Sequence, residues 1–145
     1  MKFDAIFKSD IGMKRKQNQD NGVSRPELGL FVVADGMGGH QGGETASKMV
    51  AEILPEYVEH KLENPDQDPR SVIAKAVEKA NREIFQKSAE LNHLNGMGTT
   101  TTAILIQKNL VTIGHVGDSR CYFFRPGAMW QLTRDHSLVA EKLRA

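Results

Sequence analysis

The 145-residue chain has 39% hydrophobic residues, 26% charged residues and a formal net charge of +1. That balance suits one globular domain and excludes a nucleic-acid footprint or polybasic membrane patch built on net charge. A single cysteine, Cys121, excludes an intrachain disulfide, and no apolar run approaches the roughly 18 residues a spanning helix needs. The N-terminal segment MKFDAIFKSDIG carries charges through its apolar pattern and is no signal peptide, so the expectation is a cytoplasmic protein.

In chain order, residues 3–8 predict a short strand with Phe3, Ala5 and Phe7 on one face. Residues 28–34, LGLFVVA, predict a strand buried on both faces. A glycine-rich segment follows, then a helix whose stripe runs through Ala46, Met49, Val50, Ile53, Leu54, Tyr57, Val58 and Leu62. Pro55 should kink it, having no N–H to donate to the Ala51 carbonyl. Asp68 and Pro69 read as the N-cap and first position of a second helix. That helix extends to about Asn92, with Ile73, Ala76, Val77, Ala80, Ile84 and Leu91 inward. TTTTAILIQ and LVTIGHV flank Lys108-Asn109 as a hairpin. Strands at 120–124 and 129–132 follow around the turn PGA, and Ser137 stands where a last helix begins. Strands, two helices and then antiparallel strands make an α+β fold.

The segment FVVADGMGGHQGGETAS raises a choice between cradling phosphate and holding a metal. The phosphate-loop pattern needs lysine where Glu44 stands, although Gly38, Gly43 and Thr45 are correctly spaced. The dinucleotide fingerprint fails at Gln41. Asp35, at the end of a strand, offers a carboxylate, and Gly36 offers an unhindered carbonyl. Those are the oxygen donors that hard cations take. An Asp-Gly pair is also an ordinary turn. Asp20 and Asp118 sit at other strand ends, and Arg15 could bind phosphate through its planar guanidinium. In the basic run 14–16, Arg15 also reads as a solvated charge.

Other chemistries fail on spacing. Five scattered histidines and one cysteine form no zinc pair. GDSRC misses the nucleophile elbow because Cys121 replaces its second glycine. Cys121 and Arg125 lie too close together for a cysteine-dependent phosphatase, and Cys121 reads as a small buried apolar residue. His40 is either a proton donor near the ions or a loop histidine.

Five segments occur in order: RKQNQD (15–20), VVADGMGGHQGGETAS (32–47), GTTTTA (98–103), GHVGDSR (114–120) and LTRDHSLV (132–139). Together they closely resemble the bacterial metal-dependent protein serine/threonine phosphatases of the protein phosphatase 2C family. The resemblance implies an antiparallel β-sandwich flanked by helices. It implies two or three Mg²⁺ or Mn²⁺ ions in a complete domain and hydrolysis of phosphoserine and phosphothreonine by a metal-activated water. It places Asp35 between two metals, the Gly36 carbonyl on one, Asp20 on one directly or through water, and Asp118 at a weaker third. Arg15 would hold the substrate phosphate. Met37 stands where animal members carry a histidine proposed as general acid, which leaves His40 as the nearest histidine for that role.

Complete members of the family continue past this point to further aspartates in SDG and DN motifs, and neither motif follows Asp135 here. Asp20, Asp35 and Asp118 are too few carboxylates for a dinuclear centre. The expectation is that residues 1–145 are the N-terminal portion of one catalytic domain, nearly inactive alone. Uncovered sheet edges then favour self-association. The expected partners are phosphoprotein substrates and a Ser/Thr kinase counterpart, with no nucleic acid and no membrane. The competing readings are a short non-catalytic module that binds phosphoproteins as a regulator or decoy, and a nucleotide-binding protein, against which Glu44 counts.

Overall fold

A computed structural model of the chain describes residues 4–39, 41–137 and 142. The described strands are β1 (Asp20–Arg25), β2 (Leu30–Met37), β3 (Gly98–Thr99), β4 (Thr101–Gln107), β5 (Leu110–Val116), β6 (Tyr122–Arg125) and β7 (Ala128–Gln131). Two helices, α1 (Gly42–Leu62) and α2 (Pro69–Glu90), lie between β2 and β3. The main sheet runs β1-β2-β4-β5, antiparallel throughout, with β3 also pairing with β2. A separate hairpin is formed by β6 and β7.

Both helices pack on one face of the main sheet. Leu30, Val32 and Ala34 point to that face and are buried with Val50, Leu54 and Val58 of α1 and Ile73, Ala76 and Ala80 of α2. Complete burial of a leucine such as Leu54 contributes about 2 kcal/mol, so this seam is the main source of cohesion. The helix starts differ. Asp68 caps α2 as expected, its carboxylate accepting from the N–H groups of Arg70 and Ser71 at 3.3 and 3.2 Å. At α1, Gln41 makes no side-chain cap. Helix α1 also runs on past the buried Pro55 to Leu62.

Four expectations are corrected. Residues 4–8 form no strand; they run as an irregular segment, and Phe3 lies outside the described residues. The Phe7 ring lies against Gly22, where a Cβ would come within 2.1 Å of it. Strand β2 is not buried on both faces: buried positions alternate with exposed or half-exposed Phe31, Val33, Asp35 and Met37. The reason is that the helices cover one face, while among the described residues the N-terminal segment and the chain around Cys121 and Tyr122 border the other only in part. Strand β2 also continues past Asp35 to Met37. Finally, α2 stops at Glu90 and Leu91 is partly exposed as its C-cap, because the chain turns into a 3₁₀ turn at Asn92–Leu94. The helix expected after Ser137 falls largely outside the described residues.

The hairpin at Lys108-Asn109 forms as expected, with Lys108 at φ +55°. On β5, Thr112 is buried against the core, and its hydroxyl has no hydrogen-bond partner among the described residues. A buried, unpartnered hydroxyl is destabilising. Thr112→Val, nearly equal in shape, should raise stability by about 1 kcal/mol, read as a higher urea midpoint at unchanged m-value.

Candidate metal centre

Asp20 opens β1 and Asp35 lies two residues before the end of β2. The antiparallel register sets them directly opposite one another. Opposed residues project to the same face, so two carboxylates meet on the side of the sheet away from the helices. This part of β1 is held by a buried node. The Gln19 carbonyl accepts the Gly36 N–H at 3.1 Å and the Ser47 hydroxyl at 2.6 Å. Asn21 in turn donates to Ser47 at 2.9 Å. Ser47 is fully buried on α1, so the helix positions the strand that carries Asp20.

Gly36 is needed for this close packing. A Cβ there would stand 2.0 Å from the Gly43 carbonyl oxygen and 2.7 Å from that of Gln19. The start of α1, the end of β2 and the chain before Asp20 therefore converge with no space for a side chain.

Asp118 lies in the turn after β5. Continuing the β4–β5 register places Gly117 opposite Thr100, and continuing the β2–β4 register places Thr100 opposite Asp35. One transverse row thus crosses the sheet: Asp20, Asp35, Thr100, Gly117. The row brings the turn bearing Asp118 within electrostatic range of Asp35. Gly117 adopts φ +106°, and a Cβ on it would meet Thr100 at 2.6 Å.

The electrostatics link the four expected charged residues. The Asp35 carboxyl is pushed above the usual carboxylate range, first by burial and then by the charge and hydrogen bond of Asp20. Arg15 opposes the shift and Asp118 adds to it. Arg15 is exposed in the irregular N-terminal segment and lines a cavity of about 540 Å³ with Gln19, Gly36, Met37 and Gly38. A second cavity, of about 250 Å³, is lined by Lys8, Ser9, Asp20, Asp35 and Ser119. His40 lies outside the described residues.

Several participants are absent from the sequence-based expectation. Ser9 donates to Asp20 at 3.2 Å and accepts from Asn18 at 2.7 Å. Gln19, Ser47, Thr100 and Ser119 complete the frame. The GHVGDSR and LTRDHS segments are also tied to each other. Arg120 grips Asp135 through Nε and a terminal nitrogen, the shortest contact being 2.6 Å, and its guanidinium is held still more firmly protonated. The His136 N–H donates to the Gly117 carbonyl at 2.8 Å, and the Cys121 N–H to the Thr133 hydroxyl at 2.9 Å.

The donors are all oxygen, which fits a hard divalent cation. Their number is small: among the described residues no three His, Cys, Asp or Glu side chains form a metal-holding group.

Residues 14–141 match the family model for protein phosphatase 2C. The chain belongs to the protein phosphatase 2C family. Among its relatives, the serine/threonine phosphatase stp of Listeria innocua is 38% identical over 144 residues, covering 97% of this chain and 57% of that protein. Protein phosphatase PhpP of Streptococcus pneumoniae is 37% identical over 141 residues, covering 94% of this chain and 56% of its own. The crystal structure of the catalytic domain of PstP in complex with two manganese ions superposes with a TM-score of 0.84 at 36% identity. That match covers 94% of this chain and 57% of the other. The chain therefore spans somewhat more than half the length of these protein phosphatase 2C relatives. The α+β fold with antiparallel sheets expected from the sequence is the fold of these phosphatase domains.

The raised Asp35 carboxyl, pushed up first by burial and then by Asp20, has a measurable consequence. A carboxyl whose folded pKa is raised contributes stability that is full below its unfolded pKa, about 4, and lost as pH rises through the folded value. Asp35→Asn should therefore melt a few degrees above wild type in EDTA at pH 7–8, its amide donating to Asp20. The gap should close as pH falls toward about 4, as followed by circular dichroism.

Proposed function

We propose that this chain carries part of the active centre of a metal-dependent protein serine/threonine phosphatase, acting on phosphoserine and phosphothreonine in proteins. The observation that carries this is the Asp20–Asp35 carboxylate pair, set side by side by strand register, with Arg15 close enough to act on the Asp35 carboxyl and lining a cavity with the adjoining Gly36. Asp20, Asp35 and the Gly36 carbonyl would hold Mg²⁺ or Mn²⁺, with Asp118 at a further ion. Bound divalent ions would supply Lewis acidity and lower the pKa of water at the site.

The chain's own residues have distinct tasks. Arg15 binds the substrate phosphate and offsets its negative charge, its guanidinium matching two phosphate oxygens at once. Its exposure leaves it free to meet a protein substrate. The cavity beside Gly36, Met37 and Gly38 is open enough for a phosphorylated side chain. His40 is a candidate proton donor to the leaving hydroxyl of serine or threonine. No protein nucleophile is required. Cys121 is buried and burial pushes its thiol up, which disfavours the thiolate such a role needs.

Residues 1–145 act as the N-terminal portion of a catalytic domain. The small donor set supports this, since two octahedral ions need more carboxylates than these residues bring together. The chain by itself is then nearly inactive toward its phosphoproteins and depends on added elements for turnover. Exposed Phe124 and Trp130 on the isolated β6–β7 hairpin support self-association of the chain on its own. A serine/threonine kinase would supply the phosphorylated substrates.

The test is Mn²⁺-dependent release of phosphate from p-nitrophenyl phosphate, with Mn²⁺ binding measured in parallel. Mn²⁺ should bind wild type, bind Asp35→Asn far less, and leave hydrolysis near background. Turnover matching a full-length relative would overturn the incompleteness. Absence of Mn²⁺ binding would overturn the metal centre and favour a phosphoprotein-binding module.

A further inference from the structure

In an antiparallel sheet, two residues facing each other as a hydrogen-bonded pair exchange both backbone N–H and C=O groups. Asp35 and Thr100 exchange only one. The Thr100 N–H donates to the Asp35 carbonyl at 2.9 Å, as the ladder requires. The Asp35 N–H, however, donates to the Thr100 hydroxyl, also at 2.9 Å, and not to the Thr100 carbonyl. That carbonyl accepts the Thr99 hydroxyl at 2.9 Å instead. The ladder is thus opened on one side at the residue facing the metal-side aspartate, although its register is unchanged on either side.

The substitution of a side-chain oxygen for a backbone oxygen leaves Thr100 with spare capacity. A hydroxyl has one proton and two lone pairs. After accepting from Asp35, the Thr100 hydroxyl can still donate to, or accept from, the Ser119 hydroxyl 2.7 Å away. Ser119 follows Asp118 directly. One oxygen atom therefore connects the backbone of Asp35 to the turn bearing Asp118. The Thr100 methyl packs against Gly117, and branching at Cβ restricts the side chain to few rotamers.

We propose that Thr100 is a positioning residue for the metal centre: its hydroxyl, acting through Ser119, sets where the Asp118 turn stands relative to Asp35. This rests on the metal-dependent phosphatase reading. Asp35 lies on β2 and Asp118 in the turn after β5, and the β4–β5 backbone pairing ends at Val116, short of that turn. A partner outside the ligand shell that orients a ligand commonly accounts for 10–100-fold in metal affinity.

Thr100 has two features that can be removed separately. Valine keeps the branched shape and loses the hydroxyl. Serine keeps the hydroxyl and loses the methyl. The experiment is a titration of the 145-residue chain with Mn²⁺ alone, read by the electron paramagnetic resonance signal of free Mn²⁺. It is paired with amide hydrogen exchange at Asp35 by nuclear magnetic resonance. Thr100→Val should weaken Mn²⁺ binding about tenfold or more and speed exchange at the Asp35 amide, which has lost its acceptor. Thr100→Ser should stay within about threefold of wild type. Ser119→Ala should weaken Mn²⁺ binding while leaving exchange at Asp35 slow.

Wild-type affinity in Thr100→Val, or equal damage from Thr100→Ser and Thr100→Val, would overturn the proposal. If Thr100→Val does not fold, Ser119→Ala decides, and wild-type Mn²⁺ affinity there is fatal to it. A wild-type chain that binds no Mn²⁺ counts against the metal-centre reading instead. In that case the hydroxyl link stands or falls on Asp35 exchange, and equal rates in wild type and Thr100→Val overturn it.

Discussion

The antiparallel register between β1 and β2 places two like charges face to face on an otherwise ordinary sheet. An unconstrained chain would relieve that repulsion by moving one carboxylate into solvent. Here two features oppose such movement. The Gln19 carbonyl is held by both the Gly36 amide and the buried Ser47 hydroxyl. Gly36 and Gly43 let the strand end and the helix start approach with no side chain between them. The Asp35 carboxyl, pushed up first by burial and then by its neighbour Asp20, holds its proton more tightly than usual. A cation is the natural counterweight to such a pair, because it turns repulsion into shared attraction.

The two faces of the main sheet divide the labour. One face is closed by α1 and α2 and supplies the cohesion of the molecule. The other carries Asp20, Asp35, Thr100 and His115 and is only partly covered. Above it, residues 132–136 return along residues 117–121, fastened by the Arg120–Asp135 ion pair and by backbone bonds at Cys121 and Gly117. Surface ion pairs contribute little alone. This one is bidentate and joins two loops, so its effect is on geometry more than on stability. It ties the chain just after Asp118 to the returning segment 132–136.

Parts of this arrangement are legible in the amino-acid sequence itself. The stripe from Ala46 to Leu62 and the Asp68-Pro69 start are local patterns, and both helices form where those patterns lie. The Lys108-Asn109 turn is equally local. The expected charged residues Arg15, Asp20, Asp35 and Asp118 all bear on the same carboxyl group. The misses share a cause. Phe3 to Lys8 looked like a strand because alternation describes a side-chain pattern, not a pairing partner. Residues 28–34 looked buried on both faces because apolar composition does not say which face finds a cover. The threonines at 99–102 were legible as strand formers. That one of them serves as a hydrogen-bond bridge depends on what stands opposite it.

Local chemistry in the sequence thus determined the helices, the Asp68 cap of α2 and the hairpin turn. Ordered motifs determined the family. Only the tertiary structure decided that Asp20 faces Asp35, that Thr100 stands between Asp35 and Gly117, and that Ser47 of a helix holds the strand beside them. The physical reason is that strand register is a long-range property. A shift of one residue leaves composition and periodicity nearly unchanged, yet it would send Asp35 to the helix side of the sheet and separate the two carboxylates.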